Sequence, residues 1–249
     1  MWHLYLSLNI GSLIIPLIFS FHPKLKFYKL WKYFFPATFI MMAIFVSWDI
    51  LFTQAGFWGF NDAYLSGIYW ANLPIEEWLF FVCIPYACLF TIYSFKNLLP
   101  KFSLSHKATE IIYFSLQTIL IATLLYNYNR WYTAVNFSFA IILLALVFNY
   151  KREALNTFFP VFLILLIPFF IVNGYLTGSW IHEQVVWYND AENLGIRIGT
   201  VPIEDSIYAL TMLLTVFVLM EKFNKKFSRD SIKKKFKSER KRQINCIKK

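Results

Sequence analysis

The chain has 249 residues, 58% of them hydrophobic and 15% charged, with a mean hydropathy of +0.51 and a net charge of +10. So greasy a composition excludes an ordinary soluble domain and marks a membrane protein. Thirteen of the 24 Lys and Arg lie from Lys222 onward, so the positive charge is a tail feature rather than a nucleic-acid-binding face.

Apolar runs long enough to cross a bilayer lie at about 3–20, 36–54, 78–95, 109–126, 131–149, 158–176 and 206–221. Seven transmembrane helices are expected, the last starting nearer Pro202. The first run has no basic leading segment and no small-residue cleavage site, so it reads as a retained helix. Basic residues then set the orientation. Lys24, Lys26, Lys29 and Lys32 follow the first run, Lys96, Lys101 and Lys107 the third, and Lys151 and Arg152 the fifth. With the tail these make 22 on one side, against Arg130 and Arg197 on the other. That split predicts an inner-membrane protein with its N-terminus outside and its C-terminus in the cytoplasm. The basic tail, expected to be disordered, reads as a solvated anchor on anionic lipid. Cys83, Cys88 and Cys246 have no metal-ligand spacing and read as small helix residues and a tail thiol.

The acids gather on the side opposite the basic residues, and they repeat. Asn61-Asp62-Ala63, Gly67-Ile68 and Pro74-Ile75-Glu76 return 128 positions later as Asn189-Asp190-Ala191, Gly195-Ile196 and Pro202-Ile203-Glu204. The next residue is acidic in both copies, Glu77 and Asp205. The offset pairs helices 1–3 with helices 5–7 and leaves helix 4 as a connector. The expected fold is therefore all-α integral membrane, 3+1+3, with two parallel three-helix repeats related by an axis along the membrane normal. The units are 1–100 (first repeat), 101–128 (connecting helix), 129–222 (second repeat) and 223–249 (tail). Helix 4 is what brings both acidic motifs to one membrane surface. The loops before them, about 55–73 and 177–201, carry Trp58, Trp70, Trp180 and Trp187. They read equally as a cap over a site or as an interfacial aromatic belt.

Proline at a helix start followed by acids is a common cap that complements the helix dipole. A cap alone does not require an upstream loop to be repeated, so the doubling favours function. The helix start favours an ionised carboxyl, while removal from water and a neighbouring acid favour a neutral one. Converging carboxyls divided in this way can give a proton and take one back. Asp49, deep in helix 2, is a further candidate, because ionisable groups at such depth are seldom idle. Its counterpart is Thr177. Asp62 and Asp190 are secondary candidates from the repeated loops. Dinucleotide and P-loop fingerprints are absent, as is an Asp-x-x-x-Asp magnesium pair. No cofactor is expected. His182 and Glu183 with Asp190 and Glu192 lack helical ligand spacing, so no metal is expected either. Helix 7 has no lysine from Ser206 to Met220, which argues against a retinal Schiff base.

Leu73-Pro74-Ile75-Glu76-Glu77 and Val201-Pro202-Ile203-Glu204-Asp205 resemble the Pro-x-Glu-acid motifs of the membrane-integral lycopene cyclases. These occur as two small subunits in some bacteria and fused in fungi and other bacteria. The resemblance covers about residues 1–222, in the fused arrangement. It implies a lycopene β-cyclase-type isomerase of carotenoid biosynthesis: an acyclic carotenoid end is protonated, closes to a six-membered ring and loses a proton, without net redox change. Glu76, Glu77, Glu204 and Asp205 are then the acid and base groups. Glu76 and Glu204, identical between halves, are the favoured members, and their change to Gln is expected to abolish conversion. The motifs leave open which group donates and which accepts. Implied partners are lipid-soluble lycopene, membrane lipids and other carotenoid-pathway enzymes. The rival readings are a 3+1+3 transporter of a small solute and a structural subunit with capped helices. Against transport, the repeated polar residues sit at helix starts. The core holds few others, namely Asp49, Gln117, Asn136 and Asn173.

Overall fold

Each repeated motif opens a helix, and the computed structural model shows how. It describes residues 3–247, with side chains described as far as Lys225. The tail's expected role as a lipid anchor, and Cys246, rest on side chains outside the described residues. The chain is mostly helical: α1 (Leu4–Phe19), α2 (Trp31–Gln54), α3 (Ile75–Leu98), α4 (His106–Tyr126), α5 (Trp131–Leu176) and α6 (Ile203–Ile247). Five of these are long and apolar enough to cross a membrane, and α1 is a shorter apolar helix.

Six helices stand where seven are expected. The fifth runs for 46 residues, about 69 Å if straight and more than twice a bilayer core. It is two arms meeting at Lys151, whose φ of −150° and ψ of 40° are non-helical. The stretch 150–157 holds neither Gly nor Pro and is rich in helix formers, so no loop separates the arms. Tyr132 at one end bonds Asp205, and Thr177 just past the other bonds Thr200 at 2.6 Å. Lys151 in the middle donates to the Val218 carbonyl at 2.8 Å, far along α6. The arms therefore fold back on each other. The same composition argument covers the tail: no Gly or Pro follows Pro202, and the α6 backbone continues helical to Ile247 in place of the expected disordered tail.

α1 packs on α3, α2 on α6 and α5 on both α4 and α6. The packing repeats between halves. Asn9 Nδ2 donates to the Glu76 carbonyl and Asn136 Nδ2 to the Glu204 carbonyl, both at 2.8 Å. α6 is the most enclosed apolar helix, 67% buried over its window, and α4 the least, at 22%. Gln117 joins α4 to the Ile141 carbonyl of α5 at 3.1 Å.

The two long loops are not all coil, as an all-α expectation would have it. They form β1 (Trp58–Phe60), β2 (Tyr69–Trp70), β3 (Leu73–Pro74), β4 (Val186–Tyr188), β5 (Arg197–Ile198) and β6 (Val201–Pro202). β2–β3 and β5–β6 are equivalent hairpins, one in each half. β1 and β4, also equivalent, pair antiparallel with Gly59 opposite Trp187. Antiparallel pairing centred on two equivalent residues is what a two-fold axis through that point generates. The symmetry breaks at its own centre. A Cβ on Gly59 would lie 2.4 Å from the Trp187 indole, so only one copy carries a side chain there.

Candidate active site

The repeated loop residues build a clasp that aims the helix start. Asn61 Oδ1 accepts from the Ala63 N–H, and Asn189 Oδ1 from the Ala191 N–H, both at 3.1 Å. Asp62 accepts from the Tyr69 phenol. Asp190 takes the equivalent position against Arg197 at 2.5 Å. Gly67 and Gly195 have φ of 78° and 69°, a backbone region that favours glycine. The turn they make points the preceding N–H at a carboxylate. Ser66 N donates to Glu76 Oε1 at 2.7 Å, and Leu194 N to Glu204 Oε1 at 2.6 Å. Thr133 adds a second donor to Glu204 Oε1 at 2.7 Å. Both glutamates are fully buried.

The upstream loop thus repeats because the glutamate binds it. The cap reading and the repeated loop are one structure, so repetition of the loop is no argument against a cap. Asp62 and Asp190 are exposed, on the loop surface. His182 and Glu183 lie near Asn61, whereas Asp190 pairs with Arg197 and Glu192 accepts from the Trp131 N–H. The four do not converge.

Residue 77 and its equivalent, residue 205, are a helical step of about 100° further on, and they face elsewhere. Glu77 and Asp205 both line one cavity of about 60 Å³ between the two halves. Asp49 joins them from α2. All three carboxyls are buried, and no Lys, Arg or His lies among the residues lining the cavity. Each carboxyl is held by phenols. Tyr5 donates to Glu77 Oε2 at 2.6 Å. Tyr132 donates to Asp205 Oδ1 at 2.5 Å and Tyr188 to Asp205 Oδ2 at 2.9 Å. Tyr208 donates to Asp49 Oδ1 at 2.9 Å. Burial first, and Asp205 second, push the Tyr188 phenol well above its ordinary range, so it remains a donor.

The β1–β4 ribbon roofs the cavity with Trp58, Phe60, Val186 and Tyr188. Of the two readings of the loops, the cap describes Trp58, which is buried. Trp70, Trp180 and Trp187 are exposed. Phe80, Phe169, Leu176 and Met212 supply apolar wall. The arrangement can hold a hydrocarbon end between ionisable oxygens and aromatic faces, with little water present.

Sequence reasoning did not single out Tyr5, Tyr132 or Tyr188. Tyr5 and Tyr132 are equivalent in space but 127 positions apart, so they fall out of the 128-residue register. A gapped comparison of the first helices would have aligned them, with Asn9 and Asn136 as the second match. Tyr188 pairs with Phe60 in the repeat, which hides its hydroxyl.

A family model described as Lycopene cyclase matches residues 2–95 and 129–223, with α4 lying between the two matched segments. No curated protein and no solved structure matches the chain. The two matched segments span well over half of the chain; each carries one clasp, and the first supplies Asp49 and Glu77 to the cavity and the second Asp205. The chain belongs to the lycopene cyclase family.

Proposed function

We propose that this protein is a lycopene β-cyclase-type enzyme that closes the acyclic ends of lycopene by proton transfer. Family membership supports a role in carotenoid cyclisation. The observation that carries the finer reading is the meeting of Glu77 and Asp205. They are equivalent residues of two repeats, and both face one cavity walled by aromatic rings.

In this reading a carboxyl hydrogen adds to the terminal double bond of the polyene. The new C–H bond uses the π pair and leaves a tertiary cation. An internal double bond supplies its π pair to the ring-closing C–C bond. A carboxylate then removes a proton from the ring, and that C–H pair becomes the ring double bond. One proton enters and one leaves, so the product is an isomer and no redox cofactor is consumed. Ring faces of Trp58, Tyr132 and Tyr208 suit a developing cation, at about 0.5–2 kcal/mol each. Glu77 and Asp205 are the reacting pair, with Asp49 beside them in the cavity. Glu76 and Glu204 hold the clasps that aim them.

The reading includes the membrane arrangement. The two arms of α5 count as two crossings, which with α1–α4 and α6 makes seven in a 3+1+3 plan. The cavity end faces outward and the basic end faces the cytoplasm of the cell membrane, as the Lys and Arg distribution favours. Expression in a lycopene-accumulating bacterium tests the activity. The expected result is a pigment shift and a new retention time at unchanged mass. Unchanged lycopene beside well-inserted protein would refute it.

A further inference from the structure

The two halves of the cavity differ at one wall. Asp49 of α2 has Thr177 as its repeat equivalent, and Tyr208 of α6 has Phe80. All four line the cavity. The two odd residues, one from each half, are bonded to each other: Tyr208 donates to Asp49 Oδ1 at 2.9 Å. Asp49 and Glu77 line the same cavity, whose lining holds no Lys, Arg or His, and two buried carboxyls that share such a site favour keeping one proton between them. Asp205 has a different environment. Thr177 stands where a second carboxyl would be, and two phenols donate to its two oxygens. Carboxylate oxygens that receive such donors are favoured in the ionised form.

Resting on the cyclase reading, we propose that Asp49 shares a proton with Glu77, so that Glu77 is the acid and Asp205 the base. Asp49 is a positioning residue in this scheme, acting through Glu77. The shared hydrogen passes from Glu77 to the terminal alkene carbon, leaving the pair with one proton fewer. Asp205 takes the ring proton. Between turnovers Asp205 gives its proton to water and the pair regains one from water, so the cycle closes with no net consumption of protons. The titratable groups around Asp49 are Tyr5 on α1, Glu77 on α3, Tyr132 on α5, Tyr188 on β4, and Asp205 and Tyr208 on α6.

The test is the pH dependence of the initial rate, with full-length protein in liposomes loaded with lycopene. An acid must be protonated to act, so the wild-type rate falls as pH rises through the titration of the pair. Asp49→Asn removes the neighbouring carboxyl that keeps a proton on Glu77. Its rate should fall at least about tenfold, and its high-pH limb should move about one unit lower. Tyr208→Phe removes a donor to the ionised form of Asp49, so it should move the limb the opposite way, to higher pH, by less. Asp49→Glu should bring it back towards wild type. A lower rate in Asp49→Asn with the limb unmoved would show a merely structural role and overturn the proposal. If Asp49→Asn fails to insert, an unmoved limb in Tyr208→Phe overturns it equally. Wild-type protein that leaves lycopene unchanged would remove the cyclase reading itself, and this assignment with it. Active wild type with unmoved limbs would remove only the assignment.

Discussion

Glu76 accepts the Ser66 N–H at 2.7 Å, about 100° around α3 from the cavity that its neighbour Glu77 lines. The adjacent acids therefore have separate surroundings, and on the proposed function substitutions should separate their effects. Glu76→Ala leaves a buried N–H without its acceptor and should cost about 1–3 kcal/mol of stability. Glu76→Gln retains an amide oxygen that can accept, so it should insert and keep partial activity. Glu77→Gln should leave stability near wild type and remove conversion by about a hundredfold or more. Thermal unfolding in detergent, read beside pigment conversion, checks all three. Wild-type conversion by Glu77→Gln would contradict the division.

Asp205 depends on two phenols. Tyr132→Phe and Tyr188→Phe each remove one donor, so each should slow conversion about tenfold, and the double variant more. Initial rates at a fixed pH measure this. Equal rates in all three variants and wild type would show that the carboxylate needs neither phenol.

The cavity of about 60 Å³ has room for about two water molecules, less than a carotenoid end group requires. Its walls must part, and the repeat indicates where. On the α2 side Phe45 and Trp48 pack with Phe139 and Tyr208. On the equivalent α5 side stand Asn173 and Leu176, which line the cavity directly. Asn173→Phe, which installs the equivalent residue, should narrow this side and lower conversion at least about tenfold with insertion intact. Unchanged conversion would mean that the polyene does not approach past Asn173.

The clasp has a pH signature of its own. Burial works against ionisation of Asp190, but hydrogen bonds from Arg197 and Asn193 outweigh it and hold the carboxyl below its ordinary range. A group depressed on folding stabilises the fold fully above its unfolded value, about 3.9. That contribution is lost as pH falls through the lower folded value. Wild type should therefore be more stable than Arg197→Gln near neutrality, and the difference should shrink as pH falls below about 3.9. Melting curves of the two proteins across that range test it. A difference that persists at the acid end would show that the pairing is not electrostatic.

The repeat was legible because its residues are polar and local. Asn61, Gly67, Pro74 and Glu76 serve one short clasp, and all recur at a single offset. The helix starts followed from the same residues. The break at Lys151 falls between the apolar runs that end at 149 and resume at 158; its form was not legible, since a turn made by one non-helical residue leaves no Gly or Pro behind. The strands escaped because β2, β3, β5 and β6 are two residues each, too short for any alternation to show. Among the acids, identity between halves marked Glu76 and Glu204, which bind the backbone of their own loops. The cavity pair differs between halves, and only packing reveals that residues 77 and 205 face each other's half. Asp49 stood out by depth alone. Its bond from Tyr208 and its place beside Glu77 in the cavity bring three helices together, which no local pattern encodes.

The central claim is that one solvent-exchangeable proton enters the polyene from a cavity carboxyl for every ring closed. Purified protein should therefore convert lycopene in D₂O to a cyclic product heavier by one deuterium per ring, read by mass spectrometry. Cyclic product without deuterium, or lycopene left unchanged, would contradict the account.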